Sequence, residues 1–364
     1  MAPGNGILKQ LKAERQAASS LGIEFDTKIY CPKPQGIDDD IFVNDRWLTS
    51  SFWRRSLYLK PLQWLMHRVL YTVWLLKVHK QYDVIIARYY VHDPFQLLFT
   101  ILSRRPVIFV HHSNEVRELA TGGFFGKFRA LLEILIGPLC VQFSDAVIGV
   151  TEEIASNSAR RCIYGDRDYY VYPNGIASSE ISATDDNRAE VPELLFVSSY
   201  FYEWHGLDLL LKALAHSAWN VKVHVVGEVG DANYSAAKRD ERVTLHGTLT
   251  RDEIHKLGSR CTVGISSLAL SRIGMSAGST LKVREYLAMG LPVFAGYKEE
   301  FPENFPFFKE SLDDLLADLQ HCIDTWRAID RQTIILEATD LIDKTKLLDQ
   351  LYSKLVVAIE NPVT

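Results

Sequence analysis

The sequence predicts an α/β chain of two doubly wound, parallel-sheet domains, and three observations carry that prediction. Continuous apolar runs at residues 83–88 (DVIIAR), 106–112 (PVIFVHH) and 146–151 (AVIGVT) alternate with helical stretches, the pattern of parallel strands buried on both faces. A polar stretch at 177–190 then breaks the apolar rhythm, as a linker between domains does. Beyond it, short β-rich runs at 194–199, 221–226, 243–246, 263–266 and 291–295 alternate with helix candidates near 207–214, 251–257, 280–289 and 311–326. The linker splits the strands into two sets with no even eightfold period, which argues against a (β/α)8 barrel.

At 364 residues, 47% hydrophobic and 23% charged, the chain has the size and composition of about two globular domains. A net charge of −5 gives no global reason to expect nucleic acid, so any anion site must be local. No run approaches the roughly 18 apolar residues of a membrane span and no signal peptide opens the chain. The expected location is therefore the cytoplasm, or the inner face of the cell membrane. The five cysteines are scattered, odd in number and without metal-ligand spacing, which suits reduced core thiols and no metal.

Taken in order, residues 1–6 (MAPGNG) read as a Gly/Pro turn leading into a helix over 7–21, closed by Gly22. Doubly wound domains place such a turn after a central first strand. No residues here supply one, so we expect that strand to be missing, with a gap or atypical edge near residues 4–6. Residues 23–30 alternate as a strand, and 31–51 read as a long loop. Leu62, Leu65, Met66, Val69, Leu70, Val73 and Leu76 recur at helical spacing, so 61–80 is an amphipathic helix. Arg54, Arg55, Lys60, His67, Arg68, Lys77, His79 and Lys80 stand around it with Trp53, Trp64 and Trp74. One reading of this region 54–80 is a basic, aromatic contact with anionic lipid and a lipid-linked acceptor. The plainer one is a core helix with a solvated basic face, its apolar stripe packed on a sheet.

The strands of the first half each end in polar residues, so Arg88, His112 and Thr151 emerge at the carboxyl edge of the sheet, where doubly wound folds place their sites. His111 lies one residue away and points to the other face. Residues 169–176 (YYVYPNGI) close the first half with a strand and a turn. In the second half, Gly227 to Gly230 form only a partial glycine fingerprint, so a dinucleotide oxidoreductase is weakly supported. The final helical segment carries Leu347, Leu348, Leu351, Leu355 and Val356 on one stripe.

The densest stretch is 271–297, SRIGMSAGSTLKVREYLAMGLPVFAGY. Ser279 or Thr280 is placed to cap a helix whose apolar face is Val283, Tyr286 and Leu287, and Gly290 with Pro292 ends it. The N–H groups of its first turn would then face the preceding Ser/Gly loop, where they and the helix dipole favour an anion such as phosphate. Lys282 adds a positive charge there, and it shares a helix face with Glu285. A cation for phosphate beside a carboxylate for sugar hydroxyls suits a nucleotide diphosphate. On spacing alone, a solvated intrahelical pair is the plainer account.

The string KVREYLAMGLPVFAG resembles the signature of retaining GT-B glycosyltransferases of glycosyltransferase family 4. The likeness runs from Gly4 through most of the chain and is strongest over 193–296. It implies a GT-B fold, two Rossmann-like domains facing across a cleft: an acceptor-side domain over 1–178, onto which a last helix at 340–364 packs back, and a donor-binding domain over 190–339. It implies transfer of a sugar from a UDP- or GDP-linked donor to a glycan or lipid-linked acceptor with retention, without metal or other cofactor, in cell-surface polysaccharide or glycolipid synthesis.

Residue by residue, the likeness makes Glu285 the ribose-binding carboxylate, Lys282 a diphosphate contact and His112 the histidine near the donor sugar, the three expected to be catalytic. FVSSYFYEWHGLDLLL resembles the diphosphate-binding loop, so His205 and Gly206 fall in the donor site, with His205 in the place of the family's lysine. LHGTLTRDEIHKL resembles the base-reading turn, through Gly247 and Thr248. Ser276, Gly278, Ser279 and Thr280 complete the donor side. Asn5 and Gly6, in a stretch resembling the first loop, join Arg88 on the acceptor side. Ala277 stands where many members have a second glutamate, so the sugar must be held by backbone N–H groups of residues 275–278, by Ser276 or by another group. Two other classes stay open: a sugar-nucleotide epimerase or hydrolase of the same fold, and a non-catalytic relative.

Overall fold

The computed structural model describes residues 5–31, 40–43, 60–120, 122–311 and 314–360. They form two compact units, Met1–Tyr172 and Pro173–Thr364. Trp53, Arg54, Arg55 and most of the expected loop over 31–51 lie outside the described residues.

In the first unit, helices α1 (Asn5–Leu21) and α2 (Lys60–Val78) precede a sheet of four parallel strands in the order β1 (Ile85–Arg88), β2 (Val107–His111), β3 (Ala146–Gly149), β4 (Asp168–Val171). Helix α3 (Pro94–Leu102) joins β1 to β2, α4 (Glu115–Ala120) and α5 (Gly123–Phe143) join β2 to β3, and α6 (Glu152–Ala159) joins β3 to β4. Gly22, at φ 67°, ends α1, and the Ile23 N–H reaches back to the Ala18 carbonyl at 3.1 Å, a left-handed glycine cap. The helix takes in Asn5 and Gly6, which the sequence assigns to the turn; first-turn N–H groups have no intrahelical acceptor in any case.

Two expectations are corrected here. Residues 23–30 form no strand; the described pairing is a single bridge between Ile29 and Phe42, in which the Ile29 N–H donates to Ile41 O at 2.7 Å. A strand needs a neighbour along its length to take its backbone polar groups, and here the described neighbour is short. In α2 most of the apolar stripe faces outward: Leu62, Leu65, Met66, Val69 and Val73 are exposed and Leu70 and Leu76 half-buried, while Arg68, Thr72 and Leu75 are buried, as is His79 just past the helix. Arg68 and His79 therefore leave the expected basic surface. Arg68 turns in because Asp93, the buried N-cap of α3, needs a cation, and it forms that ion pair with its guanidinium 4.1 Å from the Tyr90 ring centroid.

The second unit is built on a sheet of six parallel strands. In chain order the elements are β5 (Glu193–Phe201), α7 (Leu207–Ala215), β6 (Lys222–Val229), α8 (Asp231–Ala237), β7 (Val243–Gly247), α9 (Arg251–Gly258), β8 (Val263–Ile265), β9 (Ala277–Gly278), α10 (Leu281–Ala288), β10 (Val293–Ala295), β11 (Lys298–Glu299), β12 (Phe308–Glu310), α11 (Leu315–Trp326), α12 (Arg331–Ile342) and α13 (Lys344–Glu360). The sheet order is β12-β10-β8-β5-β6-β7, and β9 pairs with β11 apart from it. Leu194, Val225, Val263 and Phe294 are fully buried in the core. The polar stretch 177–190 is strapped onto this unit: Ser182 N–H donates to Ala288 O and Asn187 N–H to Ser259 O, both at 3.1 Å. It is polar because it runs over a surface. Helix α13 also falls in the second unit, burying Leu347, Leu348, Leu351 and Leu355.

Candidate active site

The chain order of the second sheet reverses at β5. Strands β6 and β7 extend to one side and β8, β10 and β12 to the other, so the loops after β5 and β8 flank a topological switch point at the carboxyl edge, where such sheets hold ligands. Helix α10 starts beside that edge, and its first turn is where Lys282 sits.

Neither expected hydroxyl caps α10. Thr280 occupies the N-cap position with extended backbone and no side-chain cap bond. The Ser279 hydroxyl instead accepts from the Asn174 N–H at 2.9 Å, and the Thr280 hydroxyl pairs with Tyr297 OH at 2.9 Å and Ser266 at 3.4 Å. The first turn thus keeps N–H groups without a side-chain cap. Behind it, Arg284 and Glu299 form a fully buried ion pair. Arg284 Nε also donates to Asn174 O at 2.9 Å, and Glu299 accepts from Thr280 N–H at 3.1 Å and Tyr297 OH at 3.3 Å.

Lys282 Nζ is buried with no hydrogen-bond partner, 5.9 Å from the Phe196 ring centroid. Burial lowers its pKa from 10.5 to about 8, and the neighbouring Glu285 carboxylate opposes that shift. Glu285 is half-buried on the same helix. His205 is driven down to about 4, first by burial and then by the Lys282 charge, so it is neutral. Its Nδ1 accepts from Tyr202 N–H at 3.0 Å, which leaves Nε2 to donate to Ser198 Oγ at 3.2 Å. His205 therefore spends both ring nitrogens on shaping its own loop. Gly206 follows at φ 71°, and a Cβ there would lie 2.8 Å from Leu268 Cβ, so the loops after β5 and β8 meet at a glycine.

Ser276 is exposed, and its carbonyl accepts from Lys298 N–H at 3.0 Å. Gly278 lies under the Tyr297 ring, 2.8 Å from where its Cβ would be. The Met275 N–H, expected to be open for a sugar, donates to Leu270 O at 3.3 Å. Gly247, at φ 66°, ends β7, and Thr248 is exposed beside it; Thr250 is the residue that caps α9. Gly247 lines a cleft of about 700 Å³ along the ends of β5, β6 and β7, together with Tyr200, Gly230, Tyr234 and Lys238. The partial glycine run does open a helix, since Gly230 stands immediately before α8.

The remaining expected residues belong to the first unit. Arg88 is exposed at the end of β1 and His112 just past β2; Gly6 is exposed in α1, of which Asn5 is the first residue. His111 is fully buried, stacked 4.3 Å from Tyr89 and bonded through Nδ1 to Glu115 at 2.7 Å. Glu115 also faces Arg161, which pairs with the buried Glu133. Burial raises the Glu115 pKa, but His111 and Arg161 outweigh it and hold the carboxyl below its usual range.

Asn174, Arg284 and Glu299 were not singled out from the sequence. The Pro-Asn-Gly turn was visible, but a common turn carries no sign of what its asparagine will grip. Glu193, His224 and Cys261, scattered in sequence, also meet, their candidate ligand atoms within 4.8 Å. There Glu193 is bonded to Arg260 at 2.9 Å and to His224 at 3.0 Å, an arrangement that an internal ion pair explains.

Two family models match consecutive parts of the chain: Glycosyltransferase Family 4 over residues 16–180 and Glycosyl transferases group 1 over residues 191–311. Compared with curated proteins, the sequence has no significant match. Among solved structures, the chain is similar to the lipopolysaccharide outer core galactosyltransferase WaaB in its apo form (14% identity, 97% of this chain and 96% of that one, TM-score 0.63). It is also similar to sucrose-phosphate synthase from Thermosynechococcus elongatus (16% identity, 97% and 93%, TM-score 0.64). A third likeness is to Anabaena HepE in complex with UDP-glucose (17% identity, 80% and 82%, TM-score 0.55). With glycosyltransferase family models matching consecutive parts of both halves and a fold of two parallel-sheet units like that of those structures, the chain is a glycosyltransferase of the GT-B type.

Proposed function

We propose that the protein moves a hexose from a UDP- or GDP-linked donor to a glycan or lipid-linked acceptor, with retention and without a metal, in cell-surface polysaccharide or glycolipid synthesis. The observation that supports this best is the buried, unpaired Lys282 ammonium at the uncapped start of α10, beside the switch point. A buried charge without a hydrogen-bond partner is costly, and a diphosphate would supply one. The same charge, set in place before the reaction, stabilises the leaving diphosphate.

In this reading Lys282 and the first-turn N–H groups hold the diphosphate, and Glu285 holds the ribose. The base lies in the cleft beside Gly247 and Thr248. Ser276, Gly278, Ser279 and Thr280 wall the donor site, while His205 and Gly206 fix the facing loop. His112 acts at the donor sugar, and Arg88, Asn5 and Gly6 serve the acceptor. The likeness to HepE, whose structure holds UDP-glucose, is consistent with a nucleotide-sugar donor.

Ala277 favours a second reading, a relative that binds donor without transferring it, because its side chain accepts no hydrogen bond where many members carry a glutamate. Incubating the protein with UDP- and GDP-sugars, with and without glycan acceptors, separates the readings. Acceptor-dependent release of nucleotide diphosphate supports transfer; binding without release supports the second reading; release without acceptor points to a hydrolase.

A further inference from the structure

Helices α2, α3 and α5 of the first unit expose many of their large apolar side chains while burying several polar and small ones. Helix α3 packs against both α2 and α5, so the three form one layer. Toward the protein they turn Leu75, Phe99 and Val141 but otherwise many small or polar residues, among them Arg68 and Thr72 on α2, Gln96 on α3, and Gly126, Ala130 and Gly137 on α5. Outward they turn large apolar ones. On α5 Phe124 is 82% exposed, Phe125 79% and Leu135 61%; on α3 Ile101 is 50% exposed; on α2 Leu65 and Val69 are exposed as well. An ordinary amphipathic helix does the reverse, and soluble monomers seldom expose contiguous apolar patches above a few hundred Å².

The charge on this layer identifies its partner. Lys77, Lys127 and Arg129 are exposed, whereas the sole carboxylate in the three helices, Glu133, is fully buried against Arg161 and Tyr89. The exposed charge is thus all positive on a chain whose net charge is −5. A second copy of the same face would set cations against cations. An anionic bilayer meets both features, phosphates taking the cations and the headgroup–acyl boundary taking the large apolar side chains.

We propose that the outer face of α2, α3 and α5 rests on an anionic lipid bilayer. Among the described residues no helix is long and apolar enough to cross a membrane, so the contact is with one leaflet. It runs through apolar side chains on three helices, and Arg68 and His79 take no part because they are buried. It stands independently of the donor reading, because vesicle binding is measured without nucleotide.

The test is co-sedimentation of the full chain with phosphatidylcholine vesicles and with mixed phosphatidylcholine–phosphatidylglycerol vesicles, alongside analytical ultracentrifugation without lipid. The expected result is a monomer that binds the mixed vesicles roughly tenfold more tightly than phosphatidylcholine alone. Replacing Phe124 and Phe125 together by Ser should weaken that binding at least about tenfold and leave the melting temperature unchanged. A Phe124→Trp reporter, which keeps an aromatic at the site, should be quenched by lipids brominated on their acyl chains. Failure of wild type to sediment with mixed vesicles, or absence of quenching, overturns the proposal. So does a lipid-free dimer that the Phe124/Phe125 replacement dissociates, which would assign the face to a second copy.

Discussion

Asn174 holds Ser279 at two points, through its backbone N–H to Oγ at 2.9 Å and through Nδ2 to the carbonyl oxygen at 2.6 Å. Arg284, one turn into α10, donates back to the Asn174 carbonyl at 2.9 Å. The turn that opens the second unit thereby sets where α10 begins, and with it the position of Lys282. Asn174→Ala removes the Nδ2 bond and is expected to cost about 1–2 kcal/mol of stability, with a several-fold loss of nucleotide affinity. Thermal melting and calorimetric titration with UDP and GDP check this; unchanged affinity would mean that the turn does not position the site.

Lys282→Met separates a binding role from a structural one. Removing a buried, unpaired ammonium should raise the stability of the ligand-free protein by about 1–3 kcal/mol, while nucleotide diphosphate binding weakens by about 1.5–3 kcal/mol, roughly tenfold to a hundredfold. A lysine that served only packing would lower stability when replaced and leave binding alone.

The same residue makes both properties depend on pH. Its pKa is 10.5 unperturbed and about 8 in the folded protein, so between those values the unfolded chain binds more protons. Ligand-free stability should therefore rise from about pH 8 upward, to the extent that Lys282 dominates that window. Affinity for a diphosphate should fall over the same range as the ammonium is lost. Melting curves and titrations of wild type against Lys282→Met across this window test both signs, since the variant should lack both trends.

The two adjacent histidines should behave differently. His111 is buried against Tyr89 and bonded to Glu115, so His111→Ala should lower the melting temperature. His112 is exposed past the end of β2, and His112→Ala should leave melting unchanged while lowering turnover on the order of a hundredfold. Equal turnover in wild type and His112→Ala would remove His112 from the reaction.

Gly264→Ala tests the packing that carries α10. A Cβ on Gly264 would sit 2.5 Å from the Tyr286 ring, whose hydroxyl accepts from Val197 N–H at 2.9 Å. The substitution should cost about 1–3 kcal/mol in thermal or denaturant unfolding. A neutral result would mean that the ring moves freely, and the start of α10 would then be held by Asn174 and the Arg284–Glu299 pair.

Much of the architecture was legible because burial on both faces writes itself as uninterrupted apolar runs. DVIIAR, PVIFVHH and AVIGVT became β1, β2 and β3, and the Gly290–Pro292 stop closed α10 as read. What failed had a common cause, dependence on partners distant in the chain. Residues 23–30 alternate as a strand does, but alternation provides no neighbour to pair with. Periodicity shows the apolar stripe of α2 as a face without showing which way it points; the buried Asp93 decides that by drawing Arg68 inward. Ser279 and Thr280 have the chemistry of caps, yet Asn174 and Tyr297 claim their hydroxyls. In the site, the Lys282–Glu285 face could be read from spacing, whereas the clamp from Asn174 and the support from Glu299 needed the fold.

The most direct test of the account is calorimetric titration of UDP and GDP into wild type, Lys282→Ala and Glu285→Ala. The account predicts that wild type binds one of the two nucleotides, and that each variant, while folded, binds it roughly tenfold or more weakly. Equal affinity in all three proteins would place the donor elsewhere and contradict the assignment of the start of α10 as its diphosphate site.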